Sequence, residues 1–242
     1  MASKKFANCS VIVTVCNEVK TVEPLLKALA GQTLLPESVV ITDGGSTDGT
    51  WKKLRALEKQ LWPFAFVIKQ LKGNRSVGRN AALRMAKTTF VASTDAGCVP
   101  EKTWIEELLA TQKKAETPVV AGYYKGLPTT PFETAVVPYV LVMPDRIDER
   151  TFLPATRSAL FDRKWLLQFG GFDEALSDNE DYVLARQIQA AAEKSRRPLI
   201  AFSRHAVVGW QPRATLRSFA WMIFRFARGD AAALALRPKV IL

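Results

Sequence analysis

The sequence predicts an α/β fold: a mostly parallel sheet flanked by helices, with a more mixed and less regular second half. Three observations carry this. Short apolar runs rich in β-branched residues alternate with helical patterns through about Lys114, and such alternation builds parallel sheets covered on both faces. Acids stand just past three of those runs, Glu18, Asp43 and Asp95. The 242 residues are 48% apolar and 24% charged, the make-up of a chain with a full core.

The elements follow in order. Ser10–Val15 reads as a buried strand ending at Cys16-Asn17-Glu18. Thr21 is placed to cap a helix bearing Pro24 and the inner residues Leu25, Leu26 and Leu29, closed by Gly31, with Pro36 marking the next loop. Ser38–Thr42 is the second strand, running into Asp43-Gly44-Gly45-Ser46-Thr47-Asp48-Gly49-Thr50. Trp51, Leu54, Leu57 and Leu61 set the period of the following helix, and Ala65–Lys69 is the third strand. A polar loop, Gly73–Ser76, precedes a helix with Arg79 and Asn80 expected in its first turn. Phe90–Pro100 is the central stretch: an apolar strand ends at Ser93-Thr94-Asp95 and turns through Gly97. Thr103 and Glu106 have capping-box spacing, and Val119–Tyr124 reads as a strand.

The second half has weaker signals. Pro131–Met143 reads as a helix bent or broken at Pro138, and Met143–Thr156 as a polar loop over the site. Ser158–Phe161 is a strand and Arg163–Phe169 a helix stopped by Gly170-Gly171. Ser177–Asp181 opens a further helix, then Pro198–Phe202 and His205–Val208 are short strands. Thr215–Leu236 reads as a helix broken near Gly229.

Thirty-four basic residues against 23 acidic leave +11, which calls for an anionic partner. Cys9, Cys16 and Cys98 are odd in number, show no CxxC spacing and suit reduced thiols of a cytoplasmic protein. No apolar run approaches the ~20 residues of a membrane span, and the first residues carry no secretion signal. Nucleic acid is not the expected partner, because the strand-end acids oppose a phosphate backbone and no basic stripe with stacking aromatics stands outside the tail.

Acids at the carboxyl ends of parallel strands face one crevice, where open α/β sheets bind ligands. Asp95 there can hold a divalent cation against a diphosphate, or simply form an Asx turn before Gly97. Ser177-x-x-Glu180 has capping-box spacing, so Glu180 can cap while Asp181 faces the crevice; a first-turn acid such as Asp181 can also serve only the helix dipole.

VTVCNE, ITDGGSTDGT, SVGRNAAL, TDAGCVP and GGFDEALSDNED, in that order over roughly residues 10–190, resemble the inverting family-2 glycosyltransferases of the GT-A fold. The resemblance implies a UDP-, GDP- or dTDP-sugar donor and a divalent cation, Mn2+ or Mg2+. It implies that Thr14, Val15, Asn17 and Glu18 border the nucleoside, that Asp43 binds the nucleobase, that Arg79 lies near the donor, that Asp95 is the metal acid and that Asp181 is the general base. The acceptor would be a glycan, a lipid-linked sugar or a small molecule, in cell-envelope, polysaccharide or glycolipid synthesis. A single domain over 1–242 is expected: a nucleotide-binding half (1–125), an acceptor-side half (126–212) and a C-terminal basic amphipathic helix (213–242).

The chain departs from the family's DxD pattern, with Gly97 at the second acid, which leaves open weaker metal binding, a replacement ligand or metal independence; the resemblance makes the late His205 the candidate ligand, against an ordinary hydrogen-bonded core or surface imidazole. That departure also keeps open a catalytically weak or inactive module that binds a nucleotide sugar or glycan. In the tail, Phe219, Met222, Ile223 and Phe226 form a helical stripe, with Arg213, Arg217, Arg225, Arg228 and Arg237 supplying charge. The tail is expected to pack on the core and to rest on an anionic membrane, peripheral on its cytoplasmic face. Arg213 or Arg228 closing over the diphosphate is a further expectation.

Overall fold

The computed structural model describes residues 5–233. Its first half alternates β1 (Lys5–Val15), α1 (Val22–Ala30), β2 (Leu34–Asp43), α2 (Thr50–Leu57), β3 (Ala65–Gln70), α3 (Arg75–Met85) and β4 (Phe90–Ser93). There follow β5 (Cys98–Pro100), α4 (Trp104–Ala115), β6 (Val119–Gly126), α5 (Pro131–Val140), β7 (Ala159–Asp162), α6 (Arg163–Phe169), α7 (Glu180–Ser195), β8 (Ile200–Trp210) and α8 (Leu216–Ala232). One sheet joins all the strands in the order β3-β2-β1-β4-β7-β6-β8-β5.

The sheet is parallel where the sequence alternates and mixed beyond it. β1 pairs in parallel with β2 on one side and β4 on the other, while β7 runs antiparallel to both β4 and β6. Both faces of β1 are buried, Val11, Val13 and Val15 on one and Ile12 on the other, so the strand reads as a continuous apolar run. Helices α1, α2 and α4 cover the first face, and α3, α6 and α7 the second. This stacks the chain ends of β1, β2 and β4 on one rim. In register, Val15 faces Asp43 and Ile12 faces Ser93.

Several local expectations give way to long-range contacts. Pro36 lies inside β2, opposite Ala7, not in a loop; β3 starts pairing only at Ser38, so the missing N–H costs no second ladder. Leu61 lies beyond α2 and is fully exposed. The capping box at Thr103 does not form, because Gln32 accepts from the Ile105 N–H and Glu106 accepts from Thr33. Arg79 and Asn80 sit in the second turn of α3, since Asn74 caps it and Arg75 begins it. Pro138 lies inside α5, which continues to Val140. The two short strands expected around 198–208 are one strand, β8, whose register slips between Ser203 and Val207. α8 runs through Gly229, where a Cβ would come within 2.8 Å of Asn179 Nδ2. Arg237 and the expected helix end at Leu236 lie outside the described residues.

Candidate active site

The site is built around a buried arginine. α3 approaches β1 so closely that a Cβ on Gly78 would stand 2.4 Å from Thr14 Cγ2. The next residue, Arg79, is thereby driven under the rim, with only 5% of its side chain exposed. Its Nη2 donates to Asp95 Oδ1 at 3.1 Å, its Nη1 donates to Glu180 Oε1, and its guanidinium lies 5.7 Å from the centre of the Phe172 ring. A guanidinium buried alone would cost several kcal/mol, and two carboxylates offset that. Burial pulls the Arg79 pKa down, but Glu180, Asp95 and Asp181 raise it further, so it stays charged.

Asp95 keeps 35% of its side chain exposed. Burial pushes its carboxyl up, yet Arg79, Arg157 and Arg75 together hold it below the usual range. Glu180 is buried and shifted upward, chiefly by burial and then by the neighbouring Asp181 carboxylate, against the pull of Arg79. Three buried polar atoms flank this group with no hydrogen-bond partner: Ser93 Oγ, Thr94 Oγ1 and Glu180 Oε2. The capping role expected for Glu180 is not the one it plays. Asn179 is the N-cap, without a side-chain cap bond, and Glu180 turns to Arg79 instead.

The β1 and β2 loops are latched together. Asn17, at φ 61°, accepts through Oδ1 from the Thr47 N–H at 2.8 Å, and its own N–H donates to Ser46 Oγ. Glu18 donates its N–H to Thr50 Oγ1 at 2.8 Å and takes the Thr21 hydroxyl on its carboxylate. Its charge reaches both Arg213 and Cys98, so it belongs to the same rim as Asp95. Thr14 is half-buried against Thr42, and the Val15 carbonyl accepts from Gly44. Asp43 departs from expectation: it is wholly buried, with Oδ1 accepting from Ser46 N–H and Oγ and Oδ2 from Gln70 at 2.9 Å. It shapes the β2–α2 loop and does not open onto the crevice.

Opposite stands Asp181, in the first turn of α7. Its Oδ2 accepts from the N–H and Oγ1 of Thr156, both at 3.3 Å. Thr156 and Arg157 are the central residues of a tight turn closed by the Ser158 N–H to the Ala155 carbonyl at 3.0 Å. Ser158 anchors that turn in the core, accepting from Trp104 Nε1 and donating to the Ala206 carbonyl. Arg157 therefore projects between Tyr124 and Trp210, its guanidinium 5.5 and 5.2 Å from the two ring centres. Trp210 pairs with Cys98, so this cation lies next to the Asp95 turn and interacts with both Asp95 and Asp181. No motif marks Arg157 in the sequence, because its neighbours come from distant elements.

Two expected residues are elsewhere. His205 lies exposed on the β8 irregularity, five residues along the strand from Trp210, the residue level with Cys98. Arg228 does not close over the rim: with Arg225 and Arg75 it pairs with Asp178, whose side chain is 3% exposed. Arg213, exposed after β8, lies within electrostatic reach of Glu18, and its pKa is lowered by desolvation and by Arg157, Arg225 and Arg75. An open groove of about 830 Å³ lies along α8 at Thr215, Arg217, Ser218, Ala220, Trp221 and Phe224, and none of the acids lines it.

The side chains do not fit a protein-held divalent cation. Gly97 offers no ligand, His205 is displaced, and Asp95 is already paired to Arg79. Among the described residues no three His, Cys, Asp or Glu groups converge.

The comparisons agree with this fold. The family model described as glycosyl transferase family 2 matches residues 10–167. The succinoglycan biosynthesis protein ExoA of Rhizobium meliloti (strain 1021) is 30% identical over 235 residues, covering 92% of this chain and 69% of ExoA. The validoxylamine A glucosyltransferase of Streptomyces hygroscopicus subsp. limoneus is 32% identical over 121 residues, 48% of this chain and 26% of that one. The structure of S. aureus TarS in complex with UDP superposes with a TM-score of 0.63 at 21% identity, covering 93% of this chain and 65% of that one. The mannosyltransferase PcManGT from Pyrobaculum calidifontis, in complex with GDP-Man and Mn2+, gives a TM-score of 0.69 at 20% identity, with 93% and 62% covered. The chain thus spans just under two thirds of the length of these two solved structures. It has the GT-A fold, is a glycosyltransferase, and belongs to glycosyl transferase family 2.

Proposed function

We propose that this enzyme transfers a sugar from a nucleotide diphosphate to an acceptor hydroxyl with inversion, in polysaccharide, glycolipid or other envelope synthesis. The observation that supports this best is that Asp95 and Asp181, far apart in the chain, share the guanidinium neighbours Arg79 and Arg157. Asp181 is the general base. Its carboxylate takes the proton of the acceptor hydroxyl as that oxygen attacks the anomeric carbon from the face opposite the diphosphate. The Thr156 bonds orient it.

Thr14, Val15, Asn17 and Glu18 border the nucleoside in this reading, with residues 1–125 as the nucleotide-binding half and 126–212 as the acceptor-side half. A nucleobase contact with Asp43 requires a base N–H to replace Gln70 on Oδ2 or to use its remaining lone pair. UDP, GDP and dTDP sugars are the donor class; a glycan, lipid-linked or small-molecule acceptor completes the reaction. The expected Mn2+ or Mg2+ enters no step, because the side chains do not fit a cation held by the protein alone. Leu216, Trp221 and Phe224 are exposed on α8 beside Arg217, which supports peripheral contact with an anionic membrane on the cytoplasmic side. No helix among the described residues is long and apolar enough to cross one.

Asp181→Asn is the test. Transfer should fall by about a thousandfold or more, judged by the 10²–10⁴-fold typical of a general base, with an unchanged thermal melt. A fully active, folded Asp181→Asn variant removes the mechanism. The second reading, a binding module without catalysis, is favoured by one feature: Asp95 is tied to Arg79 and has no second acid beside it. Donor hydrolysis assayed with Mn2+ and with chelator separates the two. Nucleotide binding without turnover of any donor supports the module.

A further inference from the structure

We propose that Arg157 does the work of the missing cation: its guanidinium binds the donor's diphosphate beside Asp95, so that nucleotide-diphosphate binding needs no divalent metal. The inference rests on the donor class proposed above.

The cations on this rim divide into committed and free. Arg79 is held by Asp95 and Glu180. Arg75, Arg225 and Arg228 are held by Asp178. Arg157 and Arg213 form no ion pair among the described residues, although both lie within electrostatic reach of the acids there. Two free guanidinium groups bring the charge that one divalent ion would bring. Arg157 is also preorganised. Stacking between Tyr124 and Trp210 fixes it, so binding an anion costs little side-chain entropy. Its planar fork suits two oxygens of a phosphate. The unpartnered hydroxyls of Ser93 and Thr94 lie buried beneath the same strand end, where Ser93 pairs with Ala159.

Position decides what the anion is. Arg157 lies between Asp95, at the donor end, and Asp181, at the base. That is where the leaving group develops its charge. The acceptor oxygen forms its bond to the anomeric carbon and passes its proton to Asp181. The bond from that carbon to the diphosphate oxygen breaks, and its electron pair leaves with the diphosphate, onto the oxygen that Arg157 faces.

Calorimetric titration of the full chain with UDP, GDP, dTDP and ADP tests this, once with EDTA and once with Mn2+. The best-bound diphosphate should keep its affinity within about twofold in EDTA. Arg157→Ala should weaken it about tenfold or more, the cost of one charged hydrogen bond, while the parent nucleoside binds as before. Arg157→Lys should recover part of the loss, and thermal melts should show both variants folded. The wild-type chelator comparison does not depend on either variant. Loss of more than tenfold in EDTA overturns the metal-free claim. Unchanged binding by a folded Arg157→Ala overturns the arginine's role. Either result leaves the transferase reading standing. No binding of any diphosphate under either condition overturns both.

Discussion

Arg79 and Asp95 meet at 3.1 Å, with the arginine buried and the acid open to solvent on one side. The pair makes the floor of the rim. Its arginine also reaches Glu180, so one buried guanidinium ties β4 to the start of α7. Breaking such an arrangement by removing one partner costs about 3–5 kcal/mol, because a buried charge is left uncompensated. Arg79→Met should therefore lower unfolding stability by that amount in urea titration. Adding Glu180→Leu should recover most of it, since an apolar pair can replace a buried ion pair. If the double variant is no more stable than Arg79→Met, Glu180 is not the stranded partner.

A second prediction concerns acid. Asp95 and Asp178 are both held below the usual carboxyl range, Asp178 because Arg225, Arg228 and Arg75 outweigh its burial. Carboxyls depressed on folding give their full stabilisation above the unfolded value of about 4 and lose it as pH falls through the folded one. Glu180, shifted upward, has the opposite sign: its contribution is complete below about 4.3 and is lost as pH rises through its folded value. With Glu23, Asp48, Glu133 and Asp148 also held low, six depressed acids outnumber one raised among the described residues, so stability should decline as pH drops below about 4. Asp178→Asn should cost about 2 kcal/mol at pH 7 and flatten that decline. Urea titrations between pH 2 and pH 7, on the order of one per unit, measure both. An unflattened curve would show that Asp178 does not carry the acid sensitivity.

Thiol reactivity offers a third check. Burial pushes the Cys9 thiol up to about 12, and burial with Asp95 does the same at Cys98. Cys16 is exposed between β1 and α1. Thiolates are the reactive form. A disulfide reagent at pH 8 should modify Cys16 quickly and the other two only on unfolding. Fast reaction of two thiols in the native state would mean that the Cys98 turn opens.

What was legible in the sequence follows the range of the interactions. The strands ending at Val15, Asp43 and Ser93 showed themselves because a doubly buried strand is a continuous apolar run. Glu18, Asp95 and Asp181 were readable as strand-end or helix-start acids within local motifs. Arg157 was not, since Tyr124 and Trp210 reach it only through the pairing of β6, β8 and β5. Glu180 looked like a cap because Ser177 is near in sequence; Arg79 claims it in space. Asp178 likewise lies beside the motif acids, and only the packing of α8 shows that it gathers three arginines. His205 rests on a resemblance, a late His in place of the missing acid, and on β8 it lies five residues from Trp210, the residue level with Cys98.

Gly97 provides the final prediction. A Cβ there would meet nothing within 4 Å, and its backbone is not in the left-handed region, so an aspartate fits without strain. It would stand two residues from Asp95, giving oxygen donors on both sides of the turn. Gly97→Asp should therefore strengthen cation binding at the Asp95 turn. Mn2+ titration followed by electron paramagnetic resonance should show binding at least about tenfold tighter than wild type, one added carboxylate ligand contributing roughly 1.4 kcal/mol or more. Nucleotide-diphosphate affinity should then become responsive to Mn2+. If Gly97→Asp binds Mn2+ no better than wild type, Asp95 is too firmly held by Arg79 to serve as a ligand, and Arg79→Lys in the same background should release it.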